Sequence, residues 1–533
     1  MSALITLDSV SYRTPDGART LFENLTLVFG RERTGLVGRN GAGKTTLARL
    51  ILGELAPTNG VVSVNARVAS VRQVFAPPLG SSVADLLGVR DALVRLQRIE
   101  AGRACDGDLD LADWDLPGRV AAALARVGLA DVSLDHDARA LSGGQATRLA
   151  LAGALMGAPD FIVLDEPTNN LDTDGRAAVR ELLADWRGGA LVISHDRAVL
   201  RGMDRILEVS ELGARLYGGG YDFYVERRAA ERDAAERTLD RAERKVALVE
   251  RDNQLARERQ ERRDAAGKRK RAKGDAPKLL LDTRAEQAEN SAARGSHLAE
   301  RQRSEAQMAL EDARAEVERT RALAFDLPAS GLAAGKSVLA FHGVSYAWPG
   351  GAEIIRGLSL EIRGPERVAL VGGNGSGKST LIGLAGGTLA PTHGVVRRGV
   401  AATVLDQRAA LLDADETLLA NFLRLNPGAN ENVAYGAMAK FLFRNQAALR
   451  RPVDLSGGEK LRAALACTLF GDEPPQLLML DEPTNHLDLE SVDAIEAALS
   501  EFDGALLVAS HDTDFLNRLK IERVIEPAGW RGY

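Results

Sequence analysis

Two short stretches of this chain have the residue types and spacing to hold phosphate. Gly38-Arg39-Asn40-Gly41-Ala42-Gly43-Lys44-Thr45-Thr46 closes an apolar run ending at Val37, and Gly372-Gly373-Asn374-Gly375-Ser376-Gly377-Lys378-Ser379-Thr380 closes another. Glycines let the backbone curl so that its N–H groups point at phosphate oxygens, and a helix beginning near the lysine adds its positive end. Lys44 and Lys378 reach the outer phosphates, and the hydroxyls of Thr45 and Ser379 suit Mg2+. Further on, the apolar run Phe161-Ile162-Val163-Leu164 ends in Asp165-Glu166, and a second run ends in Asp481-Glu482. Paired carboxylates at a strand end suit metal and water chemistry: Asp165 and Asp481 can join a Mg2+ shell, while Glu166 and Glu482 can polarise an attacking water. His195 and His511 end the strands that follow. Ser142-Gly143-Gly144-Gln145 and Ser456-Gly457-Gly458-Glu459 each precede an apolar-periodic helix, making an anion-binding helix end without a lysine. Such an end fits a phosphate already held elsewhere.

Around these residues the chain reads as one machine written twice. Subtracting positions, 378 − 44 and 407 − 73 both give 334, whereas 482 − 166 and 511 − 195 both give 316. Spacing is rigid within each core block, and the difference falls mainly between Gln73 and Ser142, where the first copy is longer than the second between Gln407 and Ser456. With 533 residues the chain exceeds one core, and 45% apolar with 27% charged residues fits a globular protein. No apolar stretch approaches the ~20 residues of a membrane span. The N-terminus alternates like a first strand and lacks an export signal, so a cytoplasmic protein is expected. Cys105 and Cys467 sit in separate halves and read as packing residues, which argues against a disulfide framework or a cysteine metal site. A net charge of −6 requires any nucleic acid to be met by a local basic patch.

In order and type, the phosphate loop, Gln73, Ser142 motif, Asp165-Glu166 and His195 resemble the ATP-binding cassette ATPases. That resemblance implies an α/β fold with two P-loop cassette domains, each carrying a helical subdomain. It places Gln73 and Gln407 near Mg2+, and packs the cassettes head to tail, with one ATP between Lys44 and Ser456 and the other between Lys378 and Ser142. Both sites have the full set, so hydrolysis is expected at both, and pairing within one chain predicts a monomer when ATP is bound. Two departures bear on this. The residues after the acidic pair differ, Asn169-Asn170-Leu171-Asp172 against Asn485-His486-Leu487-Asp488, and the adenine-stacking position is Trp348 in the second copy but Thr14 in the first.

Between the copies runs a charged segment, 226–324, that follows Tyr221-Asp222-Phe223-Tyr224. Ala235, Leu239, Ala242, Val246 and Val249 alternate at spacings of four and three, and Ala306, Leu310, Ala313, Val317, Thr320 and Ala324 repeat the pattern. With Gly267, Gly274 and Pro277 between them, an antiparallel coiled-coil hairpin is expected, its first helix about 40 positions and ~60 Å long. Ten basic residues stand against four acidic ones over 257–278; Arg262, Arg263, Lys268, Arg269, Lys270, Arg271 and Lys273 are the candidate nucleic-acid contacts, by shape and backbone because aromatics are few. The domains expected are 1–222, 223–327 and 328–533. Tandem cassettes joined by such a linker resemble the ABC-F proteins, which implies an ATPase that binds the ribosome near the tRNA exit site, its linker reaching towards P-site tRNA and the peptidyl transferase centre, in translation or antibiotic protection. Two other readings remain open: a DNA-repair or nucleic-acid-associated ATPase, and the energising subunit of a membrane transporter.

Overall fold

The computed structural model describes residues 3–15, 17, 19–71, 80–141, 143–169, 171–210, 213–272, 297, 299–314, 316, 325, 327–406, 409–471, 473–485 and 487–526. Gln73, Ser142, Gln407 and Lys273 lie outside that set, as do Asn170, His486 and the seam positions Val317, Thr320 and Ala324. The chain forms two compact units, Met1–Asp222 with Leu323–Tyr533, and Phe223–Ala322.

The first unit holds both cassettes. In the first, strands β1 (Ile5–Arg13), β2 (Thr20–Phe29), β3 (Arg33–Val37), β4 (Asn59–Val64), β5 (Val68–Val71), β6 (Phe161–Asp165), β7 (Gly189–Ile193), β8 (Arg205–Ser210) and β9 (Gly213–Gly218) make two sheets. An antiparallel sheet runs β2-β1-β4, and the central sheet runs β5-β6-β7-β3-β8-β9, parallel except for its last pair. The unbroken apolar runs of β6 and β7 follow from their position: a parallel strand covered on both faces has no solvent side to make polar. Phe29 of the small sheet meets Phe161 of β6 edge-on at 6.1 Å, and the helix Lys44–Ile51 fills the space with Leu47, Leu50 and Ile51.

The second cassette repeats this with β10 (Ser337–Ala347), β11 (Glu353–Arg363), β12 (Arg367–Leu370), β13 (His393–Arg398), β14 (Ala402–Leu405), β15 (Leu477–Asp481), β16 (Ala505–Ala509) and β17 (Arg523–Ile525). Its sheets run β11-β10-β13 and β14-β15-β16-β12-β17. The helical insertions differ. Helices Val83–Leu86, Arg90–Glu100 and Leu116–Arg126 occupy the first, and Leu418–Leu425 and Glu431–Lys440 the second. Phe325, inside the range 223–327 read from sequence as linker, packs instead on Phe441 at 4.8 Å in the core of the second insertion. Cys467 is buried, but Cys105 is exposed; the packing role read for Cys105 is wrong, because the Gly/Asp-rich turn holding it runs along the surface.

In the second unit the helix that begins at Tyr221 continues to Ala272, 52 residues. It is longer than the expected 40 positions because it begins at Tyr221 and runs through Gly267: one interior glycine costs only about 1 kcal/mol, too little to stop a long helix. Ala235 and Ala242 are buried along it while most neighbours are exposed, and Ala306 and Ala313 are buried on the helical residues 299–314. Arg314 Nη2 meets Glu243 Oε1 at 3.4 Å, joining the two arms. Among the described residues no helix is long and apolar enough to cross a membrane.

Two substitutions test these cores. Phe161→Ala should cost about 3–5 kcal/mol of stability in denaturant unfolding, since the ring is fully buried beneath the strand that delivers Asp165. Ala306→Glu puts a carboxylate into a position only 1% exposed; hydrogen exchange should show faster exchange at 299–314 while the cassette strands keep their protection.

Candidate functional site

Each phosphate loop turns through the left-handed region at its glycines: Gly38, Gly41 and Gly43 have φ of 150°, 79° and 102°, and Gly372, Gly375 and Gly377 have 147°, 75° and 98°. A Cβ on Gly38 would lie 2.2 Å from the Val209 carbonyl oxygen, so the loop can pass β8 only as glycine. Behind it, Lys44 is almost wholly buried, its Nζ donating to the carbonyls of Gly38 at 2.7 Å and Arg39 at 3.1 Å, with Asn40 Oδ1 at 3.4 Å. Lys378 repeats this on the carbonyls of Gly372 at 2.7 Å and Gly373 at 3.2 Å. Burial lowers the pKa of both lysines; Glu166, Asp488 and Asp165 oppose this at Lys44, and Glu482, Asp481 and Asp172 at Lys378. Thr46 and Thr380 lie in the first helical turns, and Asn374 is exposed on its loop.

The hydroxyl of Thr45 donates to Asp165 Oδ2 at 3.2 Å, and Ser379 hydrogen-bonds Asp481, whose Oδ1 is buried without a hydrogen-bond partner. Hydroxyl and carboxylate oxygens facing each other beside a phosphate loop are a hard donor set that fits Mg2+, which keeps several waters and takes few protein ligands.

Glu166 and Glu482 leave their strands at φ of 50° and 47°, a left-handed turn that costs a side-chain-bearing residue about 1–2 kcal/mol. In both copies the turning N–H stays paired with the next strand, on Ile193 and Ala509. Burial pushes Glu166 up to about 8 and Glu482 up to about 7, the neighbouring lysines acting against the shift. Burial also lowers His195 to about 3 and His511 to about 4, with the lysines adding to it. Each imidazole Nε2 lies 3.2 Å from a glutamate oxygen, His195 from Glu166 and His511 from Glu482. Burial disfavours the charge on both members of each pair, so neither approach is a simple ion pair. The copies then diverge: His511 Nδ1 meets Thr173 of the other cassette at 3.4 Å, whereas His195 Nδ1 is buried without a partner.

Of the helix-end motifs, Ser456 is described in full. It caps Gly457–Leu469, its hydroxyl accepting from the Glu459 N–H at 3.3 Å and donating to the Glu459 carboxylate at 2.9 Å, while Arg450 holds that carboxylate. A Cβ on Gly458 would lie 2.5 Å from a methyl of Leu487, which would have to shift to admit it. Gly143, Gly144 and Gln145 form the first turn of Gly143–Met156. Trp348 is half exposed and stands edge-on to Tyr346 at 5.4 Å. Arg262 and Arg269 are exposed on the long helix; Arg263, Lys268, Lys270 and Arg271 belong to the same helix.

What the sequence reading missed is the reach of the segment after each acidic pair. Asp488 takes the backbone N–H of Asn40, in the opposite phosphate loop, at 2.8 Å, and Glu490 pairs with Arg39. In return Thr173 touches His511, and Arg176 acts electrostatically on Glu482 and His511. The available signal was an Asp seven positions beyond each acidic strand end, just before a 13-residue helix.

The glutamates set a pH dependence. A carboxyl whose folded pKa is raised contributes stability below its unfolded value, near 4.5, and loses it as pH rises through about 7 to 8. The nucleotide-free Glu166→Gln, Glu482→Gln variant should therefore lose less melting temperature than the native chain between about pH 5 and pH 9. Parallel melting curves would refute the raised pKa values.

The family model described as ABC transporter matches residues 24–169 and 355–485. The chain is 34% identical to the ATP-binding protein Uup of Caulobacter vibrioides, over 97% of this chain and 78% of that one. It is 31% identical to the tylosin resistance ATP-binding protein TlrC of Streptomyces fradiae, over 97% of this chain and 96% of that one. Among solved structures, the complex of archaeal ribosomal stalk protein aP1 with ribosome recycling factor aABCE1 shares the fold, with a TM-score of 0.57, 18% identity and coverage of 97% and 87%. Two matched cassettes in one chain and likeness to these relatives over 97% of the chain lead to one conclusion: the chain is an ATPase that belongs to the ABC-F family of ATP-binding cassette proteins.

Proposed function

We propose that this protein is a cytoplasmic, ribosome-associated translation factor that uses ATP binding to engage its target and hydrolysis to leave it. The observation that carries the reading is the second unit, a long helix with a seam of small buried residues and a basic far end, inserted between two cassettes that already contact each other. A membrane partner would have no use for it. A stiffened pair of arms with a cationic end suits the phosphates of rRNA and of tRNA bound in the P site, with affinity that falls as salt rises. The names of a tylosin resistance protein and of a ribosome recycling factor among the similar proteins support the same target, with ribosome protection against an antibiotic as one form of the activity.

In the hydrolytic step, Lys44 or Lys378 exchanges its loop carbonyls for the outer phosphates of ATP, and the curled loop N–H groups hold the rest. Thr45 with Asp165, and Ser379 with Asp481, would hold Mg2+, which supplies positive charge where the transferring phosphoryl group gathers negative charge. Gln73 and Gln407 belong to the same proposed shell. Glu166 and Glu482 orient and deprotonate water for in-line attack; pKa values near neutrality suit a general base. His195 and His511, neutral and beside those carboxylates, are placed to contact the γ-phosphate. Ser456 and Ser142, with Gly457, Gly458, Gly143 and Gly144, close from the opposite cassette, and Trp348 offers a face to adenine.

Two measurements test this. The Glu166→Gln, Glu482→Gln variant should retain ATP and lose about 10²- to 10⁴-fold in turnover; near-native turnover would remove the assignment of the base. That variant should pellet with ribosomes in ATP, not in ADP, and less as salt increases. Neutralising Lys268, Arg269, Lys270 and Arg271 together should weaken pelleting while ATP binding is unchanged, and failure to pellet in either nucleotide would rule out the ribosomal target.

A further inference from the structure

Among the described residues, the direct side-chain ion pairs between the cassettes gather on one side, while across the other Asp172 and Arg176 act electrostatically on Lys378 and Glu482. The helix Leu489–Glu501, which follows Asp488 in the second cassette, presents Glu490, Asp493 and Glu496 at three-residue spacing. Glu490 pairs with Arg39 of the first phosphate loop. Arg197, two positions after His195, makes a two-pronged bond to Glu496 at 2.5 and 3.1 Å and reaches Asp493 at 3.0 Å, with the Arg197 and Glu496 side chains only 2% and 3% exposed. Arg201 adds a second fork, to Asp514, at 2.8 and 3.0 Å.

The internal repeat permits a residue-by-residue check of the reciprocal side. The matching helix Thr173–Asp185 starts 316 positions earlier and has the same 13-residue length. It carries Asp174, Ala177 and Arg180 where the other has Glu490, Asp493 and Glu496, and these would have to meet Gly373 in place of Arg39 and Thr513 in place of Arg197. Asn517 and Ala198 stand in place of Arg201 and Asp514. None of the three ionic contacts can form there. Forked arginine–carboxylate bonds fix geometry as well as charge, so their one-sidedness bears on motion more than on total stability.

We propose that Arg197, Glu496 and Glu490 are positioning residues that clamp the second cassette's Asp488 segment onto the first phosphate loop, so that the site of Lys44 stays closed between turnovers while the site of Lys378 opens and exchanges nucleotide. Asp488 is the link, since it starts the clamped helix and holds the Asn40 N–H. The inference rests on the two-site reading above, and the experiment separates the two.

The test is release of a fluorescent N-methylanthraniloyl-ADP from the full chain. Two equivalents should bind and leave in two phases, the slower lost in Lys44→Ala and the faster in Lys378→Ala. Glu490→Lys, a surface change, should accelerate only the slow phase by about tenfold, and Arg39→Glu with Glu490→Arg should slow it again. Arg197→Met with Glu496→Met, which removes both buried charges together, should act like Glu490→Lys. A single phase for two equivalents, a slow phase belonging to Lys378, or a slow phase indifferent to Glu490→Lys would overturn the clamp. Fewer than two equivalents bound would instead overturn the two-site reading on which it rests.

Discussion

The carboxylate of Asp488 does two jobs at once, and the arrangement of both cassettes depends on it. One oxygen accepts the Ser491 N–H at 2.8 Å and caps the helix that follows; the other accepts the Asn40 N–H of the opposite phosphate loop, also at 2.8 Å. Burial works against its charge, but hydrogen bonds from Ser491 and Asn40 outweigh burial and hold its pKa below the usual carboxylate range. An ionised group removed from water persists only where its lone pairs are used. The opposite loop therefore supplies a hydrogen bond that lets this carboxylate stay ionised while buried, a place that water takes when the cassettes separate.

Chemistry inside each site follows the same logic of burial with few partners. Lys44 and Lys378 fold back onto their own loop carbonyls, an arrangement that satisfies a buried ammonium. Glu166 and Glu482, pressed into left-handed turns at strand ends, are held where the proton is easily kept or lost. Local strain at both positions is tolerated because the neighbouring strand pairs the turning N–H.

Two copies of one fold have not stayed equivalent. Thr173 can donate to or accept from His511, so either tautomer of that imidazole finds a partner, whereas the matching position in the other copy is Leu489 and His195 Nδ1 has none. Among the described residues, the direct ion pairs between the cassettes are likewise unequally distributed. The proposed clamp rests on this inequality of contacts, which leaves one site easier to open than the other.

Much of the site was legible in the sequence because its parts are local. A phosphate loop, an acidic strand end and a helix-capping serine are set by neighbours in the chain, and the constant offsets between copies marked which residues belong together. Alternating spacings of four and three marked the buried faces of Ala235, Ala242, Ala306 and Ala313 for the same reason, since a helix repeats every 3.6 residues or so. Cys105 and the length of the long helix were misread where a weak local signal, one cysteine or one glycine, was overruled by its surroundings. The contacts of Arg39 with Glu490, Asn40 with Asp488 and Arg197 with Glu496 join residues about 300 to 450 positions apart, and nothing in the local pattern of either partner names the other. The phosphate loops and acidic strand ends were written in the sequence; which side chains of one cassette grip the other's phosphate loop, and with what charge, was decided only by the packing of one folded half on the other.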